Sequence, residues 1–110
     1  MTTVIFSAKD GRYEVSASGH SGYAEAGKDI VCAAVSSILG MAAQTACNLE
    51  RDGIVSGSEY TAGDGTFGLV FFGGGVARAL FAAIWQTLSQ LEKQYPKNVE
   101  VDSAQIENSF

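Results

Sequence analysis

The string TVIFSA from Thr3 to Ala8 is rich in β-branched and aromatic residues, and YEVSAS sets Tyr13, Val15 and Ala17 against Glu14, Ser16 and Ser18. A period of two marks a strand with one buried face, and the intervening KDGR carries an Asp-Gly turn, so the chain opens on a predicted β-hairpin. The alternation stops at Gly19. Glycine, serine, alanine and charge then run to Lys28, a loop of about ten residues, and loops of that length in compact domains are functional or mobile. Asp29 precedes a run in which Ile30, Ala34, Val35, Ile38, Ala42 and Leu49 recur at helical spacing. Aspartate is a favoured N-cap because its carboxylate accepts from the open N–H groups of the first turn. The helix is expected to stop at RDG, with Gly53 in the left-handed terminal position. Its many Ala, Ser and Gly residues allow close approach of a backbone, meaning a sheet contact, a dimer contact or both.

The second half repeats the plan. IVSGSEYTA and TFGLVFFG predict a hairpin around Gly63 to Gly65, and after Gly73 to Gly75 an apolar stripe of Ala77, Leu80, Phe81, Ile84, Leu88 and Leu91 predicts an amphipathic helix ended by Pro96. NVEVDS reads as a last short strand, and AQIENSF carries no clear signal. The order ββαββαβ implies one α/β (α+β) domain over residues 1–110, a mostly antiparallel sheet with two helices packed on it.

Composition narrows the function. Hydrophobic residues make up 46% and charged residues 17% of the 110-residue chain, which is long enough for one core without staples. Seven scattered Lys and Arg against twelve Asp and Glu give a net charge of -5, which argues against direct nucleic-acid binding. The start has no secretory pattern and no apolar run approaches the roughly 18 residues of a membrane span, so a cytoplasmic protein without a membrane partner is expected. Two cysteines in a reducing compartment are expected as free thiols. On one helix Cys32 and Cys47 would be about 22 Å apart, whereas a disulfide needs Cα atoms within about 7 Å. One histidine and two cysteines that cannot meet provide no metal set. The Gly73–Gly75 run lacks a Walker lysine and a G-x-G-x-x-G spacing, so no cofactor is expected.

Cys32 is the candidate for chemistry. With Asp29 as N-cap it is the third helical residue, where the macrodipole and open N–H groups favour a thiolate. The same N–H groups, including its own, are candidate oxyanion donors. His20 sits at the mouth of the loop leading to this helix, close enough in sequence to fold back as the base that a thiol nucleophile needs. Asp29 is then either the helix cap or the group that orients the imidazole. Small loop residues, Gly22, Ala24, Ala26 and Gly27, would let an extended peptide lie close. The plain alternative is that Cys32 is a small buried hydrophobe and His20 a turn residue. Cys47 reads as packing.

The whole segment GHSGYAEAGKDIVCAAVSSIL, Gly19 to Leu39, resembles the signature of the ribosomal-processing cysteine protease family, Prp. The His, Gly, Asp, Cys and Ser spacings match together; Ser21 stands where alanine is common, a small change not expected to remove chemistry. The resemblance implies a cysteine endopeptidase that removes an N-terminal extension from the bacterial large-subunit ribosomal protein L twenty-seven. Carried over by position, Cys32 is the nucleophile, His20 the general base and acid, and Asp29 a third member. The peptide would lie along Gly19, Ser21, Gly22, Gly27 and Ala33. The family also implies a homodimer, no cofactor, a ribosomal protein precursor as partner, and a mobile loop that orders on substrate. The rival reading is a non-catalytic, ribosome-associated binding module or dimeric scaffold with Cys32 in the core.

Overall fold

The computed structural model describes residues 1–107. Its elements follow the predicted order: β1 (Thr2–Lys9), β2 (Arg12–Ser18), α1 (Ile30–Arg51), β3 (Ser56–Gly63), β4 (Thr66–Phe72), α2 (Gly75–Gln94) and β5 (Val99–Ile106). The strands form one sheet in the order β3-β4-β2-β1-β5. β5 runs parallel to β1 and the other three pairings are antiparallel.

Local chemistry explains the joints. Asp10 and Gly11 both take positive φ, 51° and 77°, the pair of left-handed residues that a two-residue hairpin of this twist requires. Along β1, Val4, Phe6 and Ala8 are buried while Thr3, Ile5 and Ser7 are only partly covered. One sheet face therefore meets the helices. Phe81 of α2 is the central anchor, fully buried, edge-on to Phe6 at 5.5 Å and 5.2 Å from the Tyr13 ring. Burying an aromatic of this size contributes about 3 kcal/mol.

α1 starts on Asp29, ends at the Asp52 cap and is followed by Gly53 at φ 76°, as expected. Its apolar face agrees with the expectation at Val35 and Ala42, with Ile38 and Leu49 packed against the core, and departs from it at Ile30. The buried residues are Val31, Val35, Leu39, Ala42, Ala43 and Ala46, whereas Ile30 is 58% exposed. Cys47, expected as packing, is exposed instead, because the buried stripe passes through Ala43 and Ala46. Both cysteines are free. β5 continues through Ala104 to Ile106, beyond the short strand expected, because backbone pairing to β1 needs no apolar side chain; a register shift between Ile5 and Ser7 accommodates it. By length and composition alone α1 is apolar enough to cross a membrane, contrary to the sequence expectation; one side of it packs into the core.

Candidate active site

The sheet brings the two ends of the first loop to one place. β2 pairs with β4 so that Ser18 faces Thr66, which sets Gly19 beside the β3–β4 turn, and the Gly19 N–H donates to the Gly65 carbonyl at 2.9 Å. Gly19 takes φ 91°, and a Cβ there would lie 2.4 Å from the Met1 carbonyl oxygen, so only glycine fits. The backbone of the next two residues is held by distant parts of the chain. The Met1 ammonium donates to the His20 carbonyl at 2.6 Å, and the Asn98 amide donates to the Ser21 carbonyl at 2.9 Å. Tyr23 packs edge-on against Tyr95 at 5.4 Å. The loop is thereby anchored to both chain halves before it reaches α1.

Asp29 is the hub of the loop. Its Oδ1 accepts from the N–H groups of Val31 at 3.0 Å and Cys32 at 2.9 Å, the N-cap geometry expected. Its Oδ2 accepts from the Ser21 hydroxyl at 2.6 Å and from the N–H groups of Tyr23 and Ala24 at 3.1 and 3.3 Å. The Ser21 hydrogen bond, with those of the Cys32, Ala24 and Tyr23 N–H groups, outweighs desolvation and holds the Asp29 carboxyl well below its usual range. Two sequence expectations change here. The Val31 and Cys32 N–H groups, candidates for the oxyanion, are both engaged by Asp29. Among the described residues Asp29 has no bond to His20, so of its two expected roles the geometry gives the cap.

Cys32 is partly buried, and its Sγ faces Ser21: it accepts from the Ser21 N–H at 3.3 Å, and the thiol lies 3.4 Å from Ser21 Oγ as donor. His20 is paired with Asp64 instead, its Nε2 3.6 Å from Asp64 Oδ1. That carboxylate is almost wholly exposed, so the pair is weak in water. No hydrogen bond joins His20 to Cys32 among the described residues. They do share space. A cavity of about 590 Å³ is lined by His20, Gly22, Gly27, Asp29, Cys32 and Ala33 with other loop residues. A smaller one of about 240 Å³, lined by Gly19, His20, Cys32 and the β3–β4 turn, adjoins it.

Of the residues predicted to line a peptide path, Gly19, Gly22, Gly27 and Ala33 border these cavities, while Ser21 is 1% exposed and turned inward. Ser36 and Asp64 border both cavities and were not singled out from sequence. Ser36 could have been found from its i, i+4 spacing to Cys32. Asp64 read only as a turn residue. Gly65 also matters, since a Cβ there would lie 2.9 Å from His20 Nε2. A larger groove of about 700 Å³ between α2 and β5 is lined by Arg78, Trp85 and Ile106 and shares no residue with the two cavities beside Cys32 and His20. Among the described residues no group of three metal-ligating side chains exists.

The profile of the family described as cysteine protease Prp matches residues 1–100. The chain belongs to that family. It is a cysteine protease, a thiol-dependent peptide hydrolase, which removes the non-catalytic module as a reading. The fold agrees with solved structures. The Staphylococcus aureus ribosomal processing protease Prp with a covalently linked product peptide is 23% identical, with a TM-score of 0.79, over 94% of this chain and 99% of that one. The same protein with a substrate peptide gives 22% and 0.70, again over 94% and 99%. SMU.848 from Streptococcus mutans gives 23% and 0.71 over 97% and 96%. No curated protein sequence matches the chain significantly.

Proposed function

We propose that Cys32 and His20 are the nucleophile and the general base and acid of a peptidase that trims the N-terminal extension of the ribosomal protein L twenty-seven. The observation that carries this reading is that the chain of a cysteine protease family has two cysteines, and only Cys32 stands at a helix start in a cleft it shares with the single histidine. Cys47 is exposed on the far part of α1, without a histidine near it in sequence. In the reaction the Cys32 S–H proton passes to His20 and the sulfur attacks the scissile carbonyl. The imidazolium then protonates the departing amine, and the neutral imidazole activates the water that releases the extension from the thioester. Asp29 holds the start of α1 and the loop rather than the imidazole, and Asp64 is the carboxylate nearest His20. Gly19, Gly22, Gly27 and Ala33 give the peptide backbone close access, while Ser21 supports this path from beneath.

Relatives described with ribosomal-processing substrate and product peptides support a ribosomal protein precursor as the partner of this chain. The reading includes a cytoplasmic homodimer, for which the outer side of α1 with exposed Gly40 and Met41 offers a surface. The test is incubation with the extended ribosomal protein of the same source, reading product mass. A single N-terminal truncation supports the proposal, and an intact substrate overturns it. Light scattering at micromolar concentration decides the dimer by its mass.

A further inference from the structure

Ser21 has one hydroxyl proton, two acceptor sites and three polar neighbours, and the placement of that proton decides what Ser21 can offer to Cys32. Both Asp29 oxygens accept from backbone N–H groups, Oδ1 from Val31 and Cys32 and Oδ2 from Tyr23 and Ala24, so the carboxylate is an acceptor towards Ser21 as well. The 2.6 Å line from Ser21 Oγ to Asp29 Oδ2 must therefore hold the serine proton, a charge-assisted bond of the short, strong kind. Ser21 Oγ is left with lone pairs. One faces the Tyr23 N–H at 3.4 Å and the other faces Cys32 Sγ at 3.4 Å. The Ser21 N–H at 3.3 Å serves thiol and thiolate alike, but at Oγ a thiolate would confront a lone pair, so that second contact is held by the proton of a neutral thiol. At 1% exposure Ser21 is closed to bulk water. His20 meanwhile faces Asp64.

We infer that Ser21 is a positioning residue that holds Cys32 as a neutral thiol, its proton aimed along the chain Cys32 to Ser21 to Asp29 and away from His20. The inference deepens the reading of Cys32 as nucleophile and rests on it. Before attack the S–H bond to Ser21 must be given up, and the proton moves to the imidazole, leaving a thiolate and an imidazolium. Ser21 thus restrains the thiol until His20 turns from Asp64 towards it.

The test uses the full chain with Cys47→Ser, so that Cys32 is the remaining thiol, with and without Ser21→Ala. Infrared absorption in the S–H stretching region reads the bond directly. The expected result is a band at lower frequency than that of a free thiol, moving upward in Ser21→Ala, with alkylation by iodoacetamide at neutral pH rising about threefold to tenfold, the loss of one hydrogen bond to the neutral form. Absence of an S–H band in the protein that retains Ser21 overturns the inference, and that reading does not need Ser21→Ala to fold. An unmoved band, or alkylation unchanged or slowed in folded Ser21→Ala, also overturns it. Neither readout requires peptide cleavage, so failure of the protease reading is seen separately, in the product mass.

Discussion

The two halves of the chain share one plan, a hairpin followed by a long helix, and differ in how the hairpin is joined to the helix. In the second half β4 passes to α2 through Gly73 and Gly74; the Gly74 cap has no side-chain hydrogen bond, and Gly73 is tight, with a Cβ expected 3.0 Å from Ala77 Cβ. That connection only turns the chain. In the first half the join is an eleven-residue stretch, from Gly19 to Asp29, gathered on one carboxylate that accepts five hydrogen bonds. Both helices have the same macrodipole. Only the first has a cysteine in its opening turn, a histidine at the mouth of its loop and a cavity between them. A helix terminus supplies a field; a long, well-anchored connection supplies the groups that use it.

The largest effect that would break this contrast is on catalysis. His20→Ala is expected to lower kcat/KM for the extended ribosomal protein by about 100- to 10,000-fold, measured by quenched time courses; a loss below fivefold would move the chemistry out of the first connection. Next comes the backbone anchor. Gly19→Ala combines a left-handed φ with a collision against Met1 and is expected to destabilise the fold by about 3 kcal/mol, read from chemical denaturation. An unchanged midpoint would mean that the loop is not pinned at Gly19.

Asp29→Asn sharpens the role of the carboxylate through pH. A carboxyl whose pKa is lowered on folding stabilises the fold fully above its unfolded range near 3.9, and that contribution is lost as pH falls towards the lower folded value. The difference in Tm between the parent and Asp29→Asn is therefore expected to be largest at neutral pH and to shrink below about pH 4. A constant difference would assign Asp29 no charged role. The smallest effect belongs to the other half: Gly74→Ser, at φ -94° with open space around its Cβ, adds a cap and is expected to stabilise by a few tenths of a kcal/mol without altering cleavage.

The strands were legible because alternation survives in β1, β2 and β4, and α1 was bounded by Asp29 and Gly53, residues whose chemistry marks helix ends. The phase of α1 was not legible at its start. Alanine, serine and glycine surround the stripe, so apolar type alone extends it to Ile30, which is exposed, and passes over Val31, Leu39 and Ala46, which are buried; Leu49 does pack against the core. In the site, Cys32, His20 and Asp29 could be singled out from type and spacing. The partners of each could not. That His20 faces Asp64 depends on β2 pairing with β4, and that Ser21 turns inward depends on Asn98 and Asp29 holding its backbone and hydroxyl. Ser21 looked like a minor departure from a family pattern, yet it bonds both the proposed nucleophile and the helix cap. The Val31 and Cys32 N–H groups looked free to bind an oxyanion because helix starts leave them open, and a carboxylate at the cap position closes them.

The most direct measurement of the central claim is intact-mass analysis of acid-quenched mixtures of the chain with the extended ribosomal protein. The predicted result is a transient adduct equal in mass to the N-terminal extension, mapped by fragmentation to the Cys32 sulfur and absent in Cys32→Ser, which leaves the substrate uncut. Cleavage that persists in Cys32→Ser, or an adduct mapped to Cys47, would contradict it.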